Sequence, residues 1–476
     1  MLAVQRRKRE GTKSIKHKKP LPLAAQLANQ LRGAILRGVL QPEHTLPATR
    51  RLASELGISR GVVVRAYEQL SGEGFLESNG AGGTRVAIRP DVQRAVSIPT
   101  PTRISAPAAG VIDLTPGRPA GTPFRHKDWR NAWKEALSAP GSTQLPAALG
   151  TIGLREAVAQ HLAVSRGLPV RADDVIITAG TSDALQLVVA MLRNRTGHSG
   201  RPRILVEDPG YPTARRVMAA AGAELLTIPV DENGLRSSQL DTLAQAPDAV
   251  LVTPSHQYPL GGRMTVQERL DLLKWAEQRG VLVLEDDYDS EFRHTRMPLP
   301  AAASLPTNAE VVLLGTFSKN LSPWLRCGYL VVRGDSGQQL KATREALDTP
   351  VSGVMQSALA RYIDGGGLSR HIARARREYS HRRTLLMDRL GRLDGLGLAA
   401  LDGGLHAVIR FDKPDANALA AQALEHGVRV VPLAFYYADL APVNGLVIGY
   451  GAVSDLQLTR ALDVIAGLID KGSNRA

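Results

Sequence analysis

Lys319 follows the apolar run 311–314 in the string Leu314-Gly315-Thr316-Phe317-Ser318-Lys319-Asn320, with Arg326 seven positions further on. A lysine buried behind a strand loses hydration, so its ammonium form is disfavoured and its neutral amine becomes a nucleophile. A nearby arginine supplies a planar fork of donors suited to a phosphate. Other strand-like runs end on complementary groups. Ala179-Gly180-Thr181-Ser182 opens a helix after 175–178, where backbone N–H groups and the helix dipole favour an anion. Asp208-Pro209-Gly210-Tyr211-Pro212 follows 204–207 as a rigid turn presenting an aromatic face. Glu285-Asp286-Asp287-Tyr288 follows 281–284, with Asp286 and Tyr288 on one side of an extended chain. Singly, each has an ordinary structural explanation. Jointly, they describe a site for pyridoxal phosphate. In that site Lys319 forms an imine with the cofactor, Asp286 keeps the pyridine nitrogen protonated, Tyr288 donates to the phenolic oxygen and Tyr211 stacks on the ring. Arg326 with Gly180, Thr181 and Ser182 neutralises the phosphate, and Ser318 belongs to the same cofactor-binding set.

These residues meet only if the segments bearing them lie side by side. Apolar runs at 175–178, 204–207, 225–230, 250–253, 281–284, 311–314 and 329–332 alternate with helical patterns such as 182–192, 213–221 and 266–278. The alternation predicts an α/β domain with a mostly parallel central sheet covered by helices on both faces. In such sheets ligands collect at the carboxyl ends of strands. That large domain is expected over 111–365. Residues 366–476, with strand candidates at 405–411, 428–432 and 446–448 and helices near 368–390 and 456–469, are expected to form a small C-terminal α+β subdomain.

At 476 residues the chain exceeds one ordinary core, so two or three domains are expected. Its 43% apolar and 22% charged residues are those of a globular protein. The net charge of +14 is unevenly spread. Residues 1–90 hold 16 Lys and Arg against 6 Asp and Glu, and the rest hold 43 against 39. Charge gathered at one end points to a polyanion, nucleic acid first, with a solubilising basic tail as the alternative. A single cysteine, Cys327, excludes a disulfide framework and a thiolate metal cluster, and no metal site is expected. No apolar run reaches membrane-spanning length, and the basic stretch Arg6-Arg7-Lys8-Arg9 is not followed by the apolar segment of a signal peptide. A cytoplasmic protein without a membrane partner is expected.

Residues 1–20 are polar and basic, a tail expected to be disordered. Over 21–88 the pattern changes. Leu23, Leu27, Leu31, Ile35 and Leu36 recur at helical spacing, in a helix expected to end near Gly38. A second helix is expected at 49–56, then a tight turn Gly57-Ile58-Ser59, with Ser59 capping a third helix that carries Val62, Val63, Tyr67 and Leu70. Two helices joined by a short glycine turn form a helix-turn-helix, whose second helix enters a DNA major groove. Segments 74–77 and 84–86 flank a glycine-rich turn at 79–83 and read as a β-hairpin wing. From 89 to 110, four prolines and no periodicity describe an extended linker.

The string LPATRRLASELGISRGVVVRAYEQLSGEGFLES resembles the winged helix of the GntR regulator family. EDPGYPTAR, TPSHQYPLGG, LEDDYDSEFR and LGTFSKNLSPWLRCGYLVV resemble the aminotransferase-type domain of MocR/GabR-like regulators, a GntR subfamily. The two resemblances together run from Pro22 to Leu468. They imply a winged helix fused to a fold-type I aminotransferase-like domain, usually in a head-to-tail homodimer. They imply promoter DNA as partner, with Arg50 and Arg60 as principal contacts and Ser59, Arg65 and Arg51 beside them. They also imply a small-molecule effector, commonly an amino compound that attacks the lysine–cofactor imine. The sequence departs from the family in several places. Gly61 and Val62 stand where polar DNA-contacting residues are usual, which puts base readout in question. Val447 stands where amino-acid-binding members carry a carboxylate-clamping arginine. Valine cannot hold a carboxylate, so the effector is expected to lack an α-carboxylate or to be pyridoxal phosphate itself, unless Arg374 or Arg410 substitutes. Residues 144–148 lack the tyrosine that touches the phosphate from the partner subunit. Ser255-His256-Gln257-Tyr258 replaces an Asn-Pro pair; His256 or Gln257 takes that place near the phenolic oxygen, or His256 is structural. The leading reading is a pyridoxal-phosphate-binding transcriptional regulator. The alternatives are an active aminotransferase with an accessory DNA-binding domain, and an enzyme whose basic end binds nucleic acid without specificity.

Overall fold

The structure, a computed structural model, describes residues 22–36, 39–78, 83–87, 110–120, 124, 126–139, 143–195, 200–243, 245–294, 300–439 and 443–473. The expected basic tail, the wing tip at 79–82 and all but the end of the linker lie outside them. The chain divides into two compact units between Ile104 and Ser105.

In the first unit, α1 (Leu23–Leu36), α2 (Thr49–Leu56) and α3 (Arg60–Gly72) precede a hairpin of β1 (Leu76–Ser78) and β2 (Thr84–Val86). Leu27, Leu31, Leu52, Val63, Tyr67 and Leu70 close one apolar core with Leu76 and Val86. Gly57 ends α2 at φ +63, where its N–H caps the carbonyls of Ala53 and Ser54. This left-handed turn is what lets α3 leave at an angle, and glycine adopts it without steric cost. Ser59 occupies the N-cap position of α3 in extended geometry, but its side chain makes no capping hydrogen bond. The expectation of a serine cap therefore holds for the position and fails for the bond.

The second unit begins with β3 (Ile112–Asp113), α4 (Lys127–Ser138) and α5 (Ile152–Arg166). Alternating elements follow: β4 (Val175–Thr178), α6 (Thr181–Arg195), β5 (Arg203–Asp208), α7 (Pro212–Ala220), β6 (Glu224–Pro229), β7 (Ala249–Val252), α8 (Val266–Arg279), β8 (Leu282–Asp287), β9 (Val311–Thr316), the one-turn α9 (Phe317–Asn320) and β10 (Gly328–Val331). Helices α10 (Gly334–Leu347), α11 (Gly353–Asp364) and α12 (Gly367–Leu390) lead to β11 (Gly397–Ala399), β12 (His406–Arg410), α13 (Ala416–Glu425), β13 (Val428–Arg429), β14 (Val431–Pro432), β15 (Gly445–Gly449) and α14 (Asp455–Ser473). The main sheet has the order β4-β10-β9-β8-β7-β5-β6, parallel except for β10, which runs antiparallel to both neighbours. Both faces are apolar. Ile204, Val206, Leu282 and Leu284 pack into one core, while their neighbours Leu205 and Val283 pack into another. Strands buried on two sides read as continuous apolar runs, which is why the sequence locates their starts within one residue, although β8 runs three residues past the expected end.

The small sheet has the order β11-β12-β15-β14, antiparallel throughout. Two details differ from expectation. The single strand expected at 428–432 is two strands, since Val428–Arg429 pairs with β3 and Val431–Pro432 with β15. Ile112–Asp113, counted by sequence with the large domain, thereby joins the C-terminal strands.

Candidate functional site

The carboxyl ends of β4, β5, β7, β8 and β9 carry the residues singled out by sequence. Thr316 ends β9 and its hydroxyl accepts the Ser318 N–H at 3.1 Å, starting the single turn α9. Phe317 on that turn is buried in the core, and Lys319 two residues on is half-buried. Lys319 Nζ donates to the carbonyl of Gly117 at 2.6 Å. Gly117 has φ +80, which favours glycine, and a Cβ there would lie 2.5 Å from Nζ, so a side chain would push the lysine's tip from its seat. Burial pushes the Lys319 ammonium below lysine's ordinary value, against the pull of Asp289 and Asp286.

The acidic run on β8 is divided by the strand's alternation. Glu285 accepts the N–H groups of Ala302 and Ala303 at 3.1 and 3.0 Å. Asp287 pairs with buried Arg166 at 2.8 Å. Asp286 is buried too, yet its Oδ1 has no hydrogen-bond partner. Burial first, then repulsion by Asp287, pushes its carboxyl up to about 7 against the pull of Lys319. Lysine and aspartate thus both shift toward their uncharged forms, which is the expected outcome for a pair sharing a desolvated pocket.

Beyond β4, Ala179 N–H is bound by Asp183 Oδ2 at 2.7 Å, and Asp183 is held by buried Arg344 at 3.0 Å. This fixes the entry of α6 at Gly180 (φ +91), Thr181 and Ser182. Arg326, in the left-handed region at φ +46, brings its guanidinium over that entry, and a Cβ on Gly180 would lie 3.6 Å from Arg326 Nη1. A non-glycine residue in that conformation costs roughly 1–3 kcal/mol and recurs at ligand-binding positions. Thr178 Oγ1, buried at the end of β4, also lacks a partner. Tyr211, the half-buried N-cap of α7, has its hydroxyl pushed up chiefly by burial, and lies near enough to Asp286 and Arg326 to feel both charges.

The structure therefore brings Gly180, Thr181, Ser182, Tyr211, Asp286, Lys319 and Arg326 to one place, with Ser318 half-buried beside the lysine. His256 is buried, and its Nδ1 lies 2.9 Å from Asp289 Oδ2 and 3.0 Å from the Tyr288 hydroxyl. Gln257 points elsewhere. Its amide donates to the carbonyls of Pro209 and Tyr258, both at 2.9 Å, and its oxygen accepts the Leu260 N–H at 3.0 Å, so it pins its own loop. Val447 is buried on β15 among Leu260, Val408, Leu433 and Tyr436. Arg410 comes within 4.0 Å of Glu232, and Arg374 faces Tyr362 and Asp128.

Sequence reasoning missed Tyr258, Tyr436, His406 and Asp289. The Tyr258 ring stands edge-on to Tyr211, Tyr288 and Tyr436, with centroids 5.8, 5.5 and 5.4 Å away. His406, on β12 of the small sheet, is 5.2 Å from both His256 and Tyr258, and burial holds it down to about 4, uncharged. The Tyr258-Pro259 pair was a usable signal. His406 comes from a strand about 150 residues away and had none. The donor set fits pyridoxal phosphate. A buried carboxyl oxygen lacks a donor, an amine is shifted toward neutrality, and a helix entry with an arginine is open to a phosphate.

On the first unit, Arg50, Arg51, Ser59, Arg60 and Arg65 are all exposed. Arg51 pairs with Glu55 at 2.8 Å and Arg60 Nε reaches Thr49 Oγ1 at 3.4 Å. Gly61 is exposed, and a Cβ there would meet nothing within 4 Å. The smooth start of α3 thus reflects an absent side chain rather than a crowded one. Among the described residues, no helix is long and apolar enough to cross a membrane.

Comparison with known proteins agrees with this two-part architecture. Residues 109–465 match the family aminotransferase class I and II, and residues 23–86 match the bacterial regulatory proteins of the gntR family. The HTH-type pyridoxine biosynthesis transcriptional regulator PdxR of Corynebacterium glutamicum is 38% identical over 455 residues, covering 95% of this chain and 97% of that protein. The probable rhizopine catabolism regulatory protein MocR of Rhizobium meliloti is 32% identical, with 91% of each covered. In fold, a multiple substrate aminotransferase from Thermococcus profundus superposes with a TM-score of 0.69 at 23% identity, covering 78% of this chain and 93% of its own. Both parts occur in regulators that align along nearly the whole chain, and the chain accordingly belongs to the MocR-like regulators of the GntR family, transcriptional regulators that join a DNA-binding winged helix to an aminotransferase-like domain.

Proposed function

We propose that this regulator holds pyridoxal phosphate on Lys319, and that the level of this compound is the signal that changes its affinity for promoter DNA. The observation that carries the reading is buried Asp286, whose unpartnered Oδ1 lies in the pocket that also holds Lys319. A buried carboxyl without a donor costs about 1–3 kcal/mol and is kept where a ligand supplies the missing N–H. Bound there, pyridoxal phosphate supplies an electrophilic carbonyl and an electron-accepting ring. Asp286 would face the ring nitrogen, Tyr211 the ring, and Arg326 with Gly180, Thr181 and Ser182 the phosphate. Val447 is buried in an apolar cluster and cannot itself clamp a substrate carboxylate, which supports the cofactor itself as the signal. The role in pyridoxine biosynthesis named for the Corynebacterium glutamicum relative supports the same choice. Arg50 and Arg60 would contact DNA, in a head-to-tail homodimer.

The test records the visible absorbance of pyridoxal phosphate on the purified protein and promoter-DNA affinity in one titration. Wild type should gain a protein-bound band and change its DNA affinity over the same concentration range. Lys319→Ala should lose the band and the response while keeping basal DNA binding. A band that persists in Lys319→Ala would overturn the assignment. Aminotransferase turnover is the second reading, favoured by the shift of Lys319 toward a neutral amine. Repeated cycles with an amino donor and a keto-acid acceptor would establish it.

A further inference from the structure

Tyr288, His256 and Asp289 share a single nitrogen. His256 Nδ1 lies 2.9 Å from Asp289 Oδ2 and 3.0 Å from the Tyr288 hydroxyl, and the imidazole stacks on the Tyr288 ring at 6.0 Å and 24°. One ring nitrogen has two exclusive states. Carrying a proton, it donates to Asp289, and the tyrosine's O–H must find an acceptor elsewhere. Without a proton, it accepts from Tyr288, and the lone pair no longer gives Asp289 a donor. The surroundings select the first state. Asp289 is buried and, although burial pushes its carboxyl up, His256 holds it below the usual aspartate value, so it is an anion in need of a donor. His406 does not compete, because its Nε2 hydrogen-bonds the Pro259 carbonyl at 3.0 Å. The chain also reserves the space for this contact. Gly404 has φ +73, and a Cβ there would collide with Asp289 Oδ2 and His256 Cε1.

We propose that Asp289 is a positioning residue that, through His256, turns the hydroxyl proton of Tyr288 toward the phenolic oxygen of bound pyridoxal phosphate and so sets how readily that oxygen takes up a proton. The proposal rests on the cofactor reading given above. It assigns the pair a task that the Lys319, Asp286 and Arg326 contacts leave open, namely choosing which way a neighbouring donor points. No bond is made or broken; one proton on His256 fixes the direction of another on Tyr288. The titratable groups facing the imidazole are Asp289 and Tyr288 beyond β8, His294 on the following turn and His406 on β12. Lys319 in turn faces Asp289 and His406.

The test is a pH titration of the bound cofactor's visible absorbance in the full-length protein. Asp289→Asn removes the charge that holds the proton on Nδ1. Tyr288 then donates to the histidine, the phenolic oxygen loses a donor and becomes more basic, and the midpoint rises by about one pH unit, the size of one lost hydrogen bond. His256→Asn should move it the same way, a second route should Asp289→Asn fold poorly. In a Tyr288→Phe background, where no hydroxyl remains to be aimed, Asp289→Asn should give no rise, only the fall expected from removing a negative charge that faces Lys319. An unmoved midpoint in both single variants, or an equal shift with and without Tyr288, overturns the proposal. If wild type itself shows no bound-cofactor band, the failure lies with the cofactor reading instead.

Discussion

Asp286 allows the cost of the pocket to be measured in the cofactor-free protein. Its carboxyl moves from the ordinary 3.8 to about 7 on folding, burial being the main cause. At about 1.4 kcal/mol per pH unit, holding it ionised in the folded chain costs roughly 4 kcal/mol. The folded carboxyl binds its proton more tightly than the unfolded one, so stability falls as pH rises between the two values. The penalty is absent below the unfolded value, about 2 kcal/mol at pH 5, and levels off near 4 kcal/mol above pH 7. Asp286→Asn keeps the shape and removes the charge, but leaves a buried amide that forfeits roughly 1 kcal/mol. The variant should therefore be more stable than wild type by about 3 kcal/mol at pH 8 and by about 1 kcal/mol at pH 5. Calorimetric melts of cofactor-free protein at the two pH values measure this, read on the transition of the aminotransferase-like unit. Adding pyridoxal phosphate should then stabilise wild type more than the variant, because ligand stabilisation scales with affinity. An equal difference at both pH values, or a less stable variant at pH 8, would refute the argument that a desolvated charge dominates at this residue.

Two further outcomes are expected. Gly180→Val places a branched side chain at φ +91 beside Arg326, so pyridoxal phosphate affinity measured by absorbance titration should fall at least tenfold while promoter binding without cofactor stays unchanged. Arg60→Ala should weaken promoter binding by about 1–3 kcal/mol in fluorescence anisotropy; if Arg60 contacts phosphate, the slope of log affinity against log salt drops by about one, and if it reads a base, the loss is confined to specific DNA.

The large sheet was legible because its strands, the half-exposed edge strand β6 apart, are buried on both faces, a pattern that survives without knowledge of partners. Lys319, Asp286, Tyr211 and Gly180 were legible for a related reason. Each lies directly after such a run, and parallel strands carry their ends to one edge. The small subdomain was less so. Residues 428–432 read as one strand-like run, apolar but for Arg429, and only pairing with Ile112–Asp113 on one side and with β15 on the other shows that the run is two strands. His406 and Tyr436 enter the pocket from that subdomain, so their contribution is a fact of tertiary docking that no local spacing encodes. Gln257 shows the converse limit. Its type suits a ligand, but Pro209, Tyr258 and Leu260 take up its amide, and this becomes visible only once the loop closes on itself.

The pocket concentrates groups that weaken the empty fold. Lys319 is held below its ordinary value, Asp286 is pushed to about 7, and Glu207, bonded to Thr253 and Gln257 behind them, is pushed by burial to about 7 as well. Such an arrangement leaves a large free-energy difference between empty and filled states, released when a ligand supplies the missing donors and counter-charges. A ligand can move a conformational equilibrium only by its differential affinity for the two states. The contacts of pyridoxal phosphate would therefore carry a DNA response to the extent that they differ between the conformation that binds DNA and the one that does not. On the proposed reading, with Val447 where a carboxylate clamp would stand, this difference would reside at the contacts of pyridoxal phosphate itself. Variants that relax the empty pocket, Asp286→Asn first among them, should therefore dull the DNA response even where some cofactor still binds.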